Sequence, residues 1–116
     1  MKKIIIFLLL SYSSISYGKV DYYCSNKDAI GKVEAERINS VDSGYTVSTK
    51  GRSYFYSAPD DKCKISKFII FKDQVDAYME YNGFYYIMYF GKNGVTTEGW
   101  MKSEHLKENG YGVGNN

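Results

Sequence analysis

The strongest constraint on the fold is a pair of β-rich runs that are joined by Asn82-Gly83. Before this dipeptide, Val75, Ala77 and Met79 alternate with more polar residues, which is the period of a half-buried strand. After it, every residue from 84 to 90 is aromatic or aliphatic. Asn-Gly favours a type I′ turn, because both central residues of that turn need a positive φ. The sequence therefore predicts a β-hairpin that turns at residues 82–83.

Shorter β-rich runs, bounded by turn-forming residues, occupy most of the remaining chain. One helical turn is expected over residues 103–106, where Ser103 can cap it. The further predicted strands cover residues 33–38, 45–49, 53–57, 67–71, 95–97 and 99–101. Five to seven short strands predict an all-β fold, either a small barrel or a sandwich. Closure is favoured because a flat sheet of this composition would leave edges that aggregate.

The N-terminus has the pattern of a secretory signal peptide. Lys2 and Lys3 precede seven consecutive apolar residues, 4–10, a run too short to span a bilayer. A polar stretch follows and ends on small residues, so cleavage is predicted after Gly18. A lipoprotein is disfavoured because no small-residue box precedes Cys24, and an uncleaved anchor is the alternative. We therefore expect a periplasmic or secreted protein without a membrane anchor after cleavage.

The net charge of +2 belongs to this leader. Without residues 1–18 the chain has 13 basic and 13 acidic side chains, so no overall charge would steer it to nucleic acid or to anionic lipid. We therefore predict no nucleic-acid partner.

The two cysteines, Cys24 and Cys63, predict one disulfide, because exported chains meet an oxidising compartment. The bond would close a loop of about 40 residues and contribute about 4 kcal/mol on the chain-entropy model. The alternative, a redox or nucleophilic cysteine, is disfavoured because the chain has no C-x-x-C and a bridged sulfur is not a nucleophile.

The order of signals after residue 50 resembles a bacterial SH3-like (SH3b) domain. The segments that carry the resemblance are S-Y-F-Y-S-A-P, K-F-I-I-F, Q-V-D-A-Y-M-E-Y, N-G-F-Y-Y-I-M-Y-F, G-K-N-G and G-W-M-K-S-E-H-L, within residues 51–106. The resemblance implies a small SH3-like barrel with a closing 3-10 turn. This chain departs from the family at Phe84, where many members have Trp, and at Lys72-Asp73, where Gly is usual.

These predictions together divide the chain into four parts. Residues 1–18 are the signal peptide, residues 19–50 an N-terminal β extension, residues 51–108 the SH3b-like barrel and residues 109–116 a disordered tail. The predicted disulfide would tie the extension to the loop that follows the Ser-Ala-Pro turn.

The inventory of reactive side chains disfavours catalysis. The chain has one histidine, His105, and two cysteines that are expected to be bridged, so it has neither a free Cys with His partners nor a set of zinc ligands. Asp60-Asp61 and the pair Asp73 and Asp76 fit loop and solvent-face charges better than a general acid and base. We therefore predict a protein that is not an enzyme and that needs no cofactor and no metal.

The aromatic excess points to binding. Eleven of the 13 tyrosines follow residue 18, more rings than a small barrel core can bury. Strand alternation places Tyr54 and Tyr56 on one face of their strand, and Tyr85 and Tyr89 on one face of theirs. These four residues and Trp100 form the predicted ligand-binding surface, with ordinary barrel packing as the alternative.

The sequence thus predicts a non-enzymatic exported binding module that recognises a peptide, a peptidoglycan fragment or a protein, as the SH3b resemblance implies. The alternative is a periplasmic inhibitor or immunity protein that blocks a toxin or a cell-wall hydrolase. The oligomeric state stays open.

Overall fold

The computed structural model describes residues 22–111, so the predicted signal peptide lies outside the described residues. In this part of the chain a helix, α1, covers residues 22–34 and is followed by strands. The strands are β1 (Glu36–Arg37), β2 (Gly44–Val47), β3 (Arg52–Tyr56), β4 (Lys64–Ile70), β5 (Gln74–Tyr81), β6 (Phe84–Phe90), β7 (Thr96–Lys102) and β8 (Leu106–Glu108). Three single 3-10 turns lie at Ser40–Asp42, Asp61–Cys63 and Ser103–His105.

Seven strands form one curled antiparallel sheet in the order β4-β3-β7-β6-β5-β2-β8, and β1 pairs with β5 beside it. The prediction of a small all-β barrel with five to seven strands is confirmed. The expected closure is not seen in the described residues, because the end strands β4 and β8 do not pair and the sheet remains an open half-barrel. The 3-10 turn Ser103–His105 separates β7 from β8, as the sequence predicted. Strand β8, the last described strand, pairs with β2.

The hairpin between β5 and β6 has the predicted turn. Asn82 and Gly83 have φ values of 54° and 80°, and Tyr81 lies opposite Phe84. Lys72 also has a positive φ, 77°. Its backbone N–H donates to the carbonyl of Val47 at 2.9 Å, which joins the turn before β5 to the end of β2.

The two faces of the sheet carry separate hydrophobic clusters. The inner cluster fills the concave side of the half-barrel and consists of Tyr45, Val47, Phe55, Ile69, Val75, Ala77, Ile87, Met101 and Leu106. The outer cluster consists of Tyr56, Met79, Phe84 and Trp100. Successive residues alternate between the clusters, as in Trp100 and Met101, because side chains on a strand point to opposite faces in turn.

A β-bulge in β5 breaks the predicted alternation of this strand. Ala77 lies opposite Ile87, but the next partners are Met79 and Tyr86, so β5 has one extra residue there. Val75 and Ala77 therefore face the inner cluster, whereas Met79 joins the outer one.

Helix α1 corrects the predicted β extension over residues 19–50, because the described part of this segment, residues 22–50, contains the helix and only two short strands, β1 and β2. The face of α1 that packs on the sheet is formed by Cys24, Asp28 and Gly31, and Ala35 continues this face directly after the helix. These residues are four, three and four positions apart, which is the spacing of one face of a helix. An ion pair between Lys32 and Asp28 at 3.1 Å adds an i,i+4 contact. The sequence contained this period, but the residues on it are not hydrophobic enough to have revealed a helix.

The predicted disulfide between Cys24 and Cys63 is present and fastens α1 to the loop before β4. The predicted disordered tail needs a partial correction, because Asn109 is ordered. Its N–H donates to the carbonyl of Gly44 at 3.0 Å, and its side-chain amide donates to the Thr46 hydroxyl at 2.9 Å. Residues 112–116 of that tail lie outside the described residues.

Candidate functional site

The five predicted ligand-binding residues do not share one surface. Tyr56 and Trp100 belong to the outer cluster and Tyr54 packs against it, whereas Tyr85 and Tyr89 pack against the inner cluster. Tyr54 and Tyr56 do lie on the same face of β3, as predicted from their spacing. The structure therefore separates the predicted surface into an outer part and an inner part.

Trp100 is fully buried beneath α1. Its indole N–H donates to the Asp28 carboxylate at 2.8 Å, and its ring packs edge-on against Tyr86 at 5.3 Å. Burial, together with the nearby Glu98, raises the pKa of Tyr86 to about 12. Helix α1 thus covers the half of the outer face that contains Trp100.

The open half of the outer face contains a groove formed by two adjoining cavities that share Lys102. The larger cavity has a volume of about 630 Å³ and lies between the loop at residues 60–62, the hairpin turn and the 3-10 turn after β7. The smaller cavity has a volume of about 210 Å³ and lies over β3. The side chains along the groove include Tyr54, Tyr56, Asp60, Asp61, Lys62, Lys64, Asn82, Phe84, Lys102, Glu104 and His105.

The loop that forms one wall of the groove is held in place from several sides. Asp60 accepts a hydrogen bond from the Tyr23 hydroxyl of α1 at 2.6 Å and another from the backbone N–H of Lys62 at 2.9 Å. The hydrogen bond from Tyr23 lowers the pKa of Asp60, because it favours the ionised carboxylate over the neutral acid. The side chain of Asn82 donates to the carbonyl of Pro59 at 3.3 Å, which connects the hairpin turn to the same loop.

The floor of the groove combines aromatic rings with charged side chains. Tyr56 packs edge-on against Phe84 at 5.1 Å, and Phe84 lies directly opposite Lys102 on the neighbouring strand. Lys102 forms an ion pair with Asp61 at 3.1 Å, which raises the pKa of this lysine. The ammonium of Lys64 lies 4.5 Å from the ring centroid of Tyr54. Tyr56 and Phe84 are only 8% and 5% exposed, so the half-buried Tyr54 is the most accessible of these three rings. An accessible ring with a cation beside it is suited to binding an extended chain.

His105 lies at the end of the groove, where its Nδ1 is hydrogen-bonded to the hydroxyl of Ser53 at 3.0 Å. Ser53 is fully buried, so its hydroxyl is not accessible to a substrate. Within residues 22–111, no group of three His, Cys, Asp or Glu side chains is placed to hold a metal ion. The helix in this part of the chain also lacks the length and apolar character needed to cross a bilayer.

Sequence reasoning missed Phe84, Lys64 and Lys102 as groove residues. Phe84 and Lys102 come together because β6 and β7 pair, and Lys64 lies opposite Tyr56 across β3 and β4. The sequence contains two indications of these groove residues. Phe84 directly follows the predicted hairpin turn, and Lys102 directly precedes the predicted 3-10 turn.

No protein-family model matches the chain, and no curated protein or solved structure matches it. The function is therefore argued from the groove and its chemistry.

Proposed function

We propose that this chain is a non-enzymatic, exported binding module of SH3b type that recognises an extended peptide segment of a protein or of the cell wall. The observation that carries the proposal is the groove on the outer face, in which the half-buried Tyr54 and the largely buried Tyr56 and Phe84 lie between charged walls. Extended peptides dock in aromatic-lined grooves of this kind, because rigid rings provide contact area at a small cost in conformational entropy.

The strand order supports the SH3-like part of the proposal. A meander of β5, β6 and β7 is followed by a 3-10 turn and by β8, which pairs with β2. The hairpin of β3 and β4 is inserted between β2 and β5, and its tip forms one wall of the groove.

The disulfide supports export. A small domain whose two cysteines are bridged is suited to an oxidising compartment such as the periplasm. It also leaves the chain without a thiol nucleophile, and the Ser53 hydroxyl beside His105 is buried, which favours binding over catalysis.

The test compares two ligand sources for the intact, oxidised protein: purified sacculi in a sedimentation assay, and periplasmic extract in a pull-down. The discriminating variant is Tyr54→Ala, which removes a half-buried ring from the groove. The matched control is Tyr22→Ala, a ring that is 75% exposed and lies outside the groove.

We expect binding to one of the two sources that survives moderate salt, and a loss of at least about tenfold in Tyr54→Ala, since a central aromatic anchor contributes more than about 1.4 kcal/mol. Tyr22→Ala should bind as the wild type does. A folded Tyr54→Ala variant with undiminished binding would refute the groove as the recognition site.

The second candidate is an inhibitor or immunity protein that blocks an exported toxin or cell-wall hydrolase. It is favoured by the rigid attachment of the groove wall through Cys63 and Asp60, because preorganised loops are typical of tight protein inhibitors. A single stoichiometric protein partner, without binding to sacculi, would select this candidate.

A further inference from the structure

The smaller cavity of the groove has a chemical character of its own. It has a volume of about 210 Å³ and is lined by the side chains of Tyr54, Tyr56, Lys64, Lys102 and His105. Each of these side chains can donate a hydrogen bond, and two of them are cations. No carboxylate is among the residues that line this cavity in the described chain. Such a set of donors favours an anionic occupant.

The cations are placed by the sheet rather than scattered over a surface. Lys64 on β4 lies directly opposite Tyr56 on β3. Its ammonium lies over the Tyr54 ring at 4.5 Å from the centroid, and the ammonium of Lys102 lies over the Tyr56 ring at 5.8 Å. The two charges therefore approach the cavity from strands on either side of β3.

His105 adds an imidazole ring from the 3-10 turn after β7. The hydrogen bond between its Nδ1 and Ser53 fixes the orientation of the imidazole, because Ser53 is itself fully buried in the sheet. The cavity is thus bordered by β3, β4, β7 and the 3-10 turn, four elements whose relative positions the fold determines.

One of these donors already holds a carboxylate. The Asp61 side chain reaches Lys102 at 3.1 Å from the neighbouring loop, and it is 78% exposed. An exposed ion pair of this kind contributes at most about 1 kcal/mol, so a ligand can displace the Asp61 side chain at small cost.

We infer that the smaller cavity is a carboxylate-binding site, in which Lys64, Lys102 and the hydroxyl groups of Tyr54 and Tyr56 receive an acidic group of the ligand. The inference rests on the proposed function, since it adds the chemistry of one ligand group to the groove. The carboxylate is either an acidic side chain or a C-terminus, and the volume accommodates such a group with a few attached carbon atoms.

The experiment is an NMR titration of the intact, oxidised protein at constant pH and ionic strength. The probes are three N-acetylated dipeptides: Ala-Glu amide with a side-chain carboxylate, Ala-Ala acid with a C-terminal carboxylate, and Ala-Gln amide with neither. Inorganic phosphate is the fourth probe. The signals to follow are those of His105 and of the lysine side chains.

We expect saturable shifts at His105 and Lys64 with one of the two acids, and about fivefold weaker binding of Ala-Gln amide, as the loss of an ion pair near the surface implies. Lys64→Gln should weaken binding of that acid about fivefold. Lys67→Gln is the matched control, because Lys67 is an exposed lysine of the same strand that does not line the cavity.

Equal binding of the acidic and amide dipeptides would overturn the inference, and so would equal losses in Lys64→Gln and Lys67→Gln. Saturation by phosphate without binding of either acid would also overturn it. If the acids bind but Tyr54→Ala keeps its full binding to sacculi or partner, the proposed function fails and the carboxylate site remains. If Tyr54→Ala loses that binding while neither acid binds, only the carboxylate site fails.

Discussion

Replacement of Gly31 by alanine tests how α1 is seated on the sheet. Gly31 faces the barrel at the point where the helix passes over Pro59 and Trp100. A Cβ atom at this position would lie 2.8 Å from Cγ of Pro59 and 3.1 Å from Cζ2 of Trp100. Carbon atoms normally pack at about 3.5–4.0 Å, so the helix has to move away from the sheet by about 1 Å.

Two opposing effects set the size of the change. Overpacking of this kind costs about 1–3 kcal/mol, because neither the proline ring nor the buried indole can rotate away. Alanine recovers about 1 kcal/mol in a helix relative to glycine. The expected net loss is therefore about 1 kcal/mol of unfolding free energy, which corresponds to a fall in Tm of about 5 °C for a domain of this size.

The assay combines thermal unfolding with intrinsic fluorescence. Trp100 is the only tryptophan of the chain and is fully buried under α1, so its fluorescence emission reports directly on the contact between the helix and the sheet. Gly31→Ala should shift this emission to longer wavelength. The control is Asn26→Ala, an exposed position of the same helix, where Tm should stay level or rise slightly. A rise in Tm of Gly31→Ala with unchanged emission would refute the close packing of α1.

Three further predictions concern stability. Cys24→Ser should lower the unfolding free energy by about 4 kcal/mol on the chain-entropy model. The wild-type protein in reductant should be as unstable as this variant. Equal urea midpoints of the wild type with and without reductant would contradict a stabilising disulfide. Asp28→Ala should lower the unfolding free energy measured in urea by about 1–3 kcal/mol, because the indole N–H of Trp100 loses its acceptor. Asp28→Asn should recover most of this loss. Unchanged stability of Asp28→Ala would contradict the hydrogen bond between Trp100 and Asp28. Burial raises the pKa of Asp76, so the folded state favours the protonated carboxyl group. The stability of the fold therefore decreases as the pH rises through the folded-state pKa of Asp76. Asp76→Asn should therefore raise Tm near neutral pH but not at a pH of about 3, where Asp76 is mostly protonated in both the folded and the unfolded state. An equal gain in Tm at both pH values would contradict a raised pKa of Asp76.

The strands could be predicted because local sequence determines them. Asn82 and Gly83 supply the positive φ values of the hairpin turn, and the run from Phe84 to Phe90 alternates between the two faces as expected. The bulge after Ala77 could not be foreseen, because it depends on how β5 pairs with β6.

Helix α1 was missed because its buried positions are filled for three different physical reasons. Cys24 forms a disulfide, Asp28 accepts a hydrogen bond from a buried indole, and Gly31 allows close approach to a proline ring. None of these residues contributes to a hydrophobic stripe, which is the usual sequence signal of a helix that packs on a sheet.

The candidate site was predicted only in part. Tyr54 and Tyr56 follow from alternation along a single strand. Lys64 and Lys102 join them because β3 pairs with β4 on one side and with β7 on the other, and the pairing with β7 brings together residues that are far apart in sequence. Pairing of this kind is a property of the whole fold.

The most direct test of the groove as the recognition surface is site-specific photo-crosslinking in cells that express the protein. Benzoylphenylalanine would replace the half-buried Tyr54 or the exposed Glu104 in the groove, Tyr89 on the inner side, or the exposed Tyr22. We expect one covalent product, with a protein or with the sacculus, from positions 54 and 104 and none from 89 and 22. Products from 89 or 22, with none from 54 and 104, would contradict recognition through the groove.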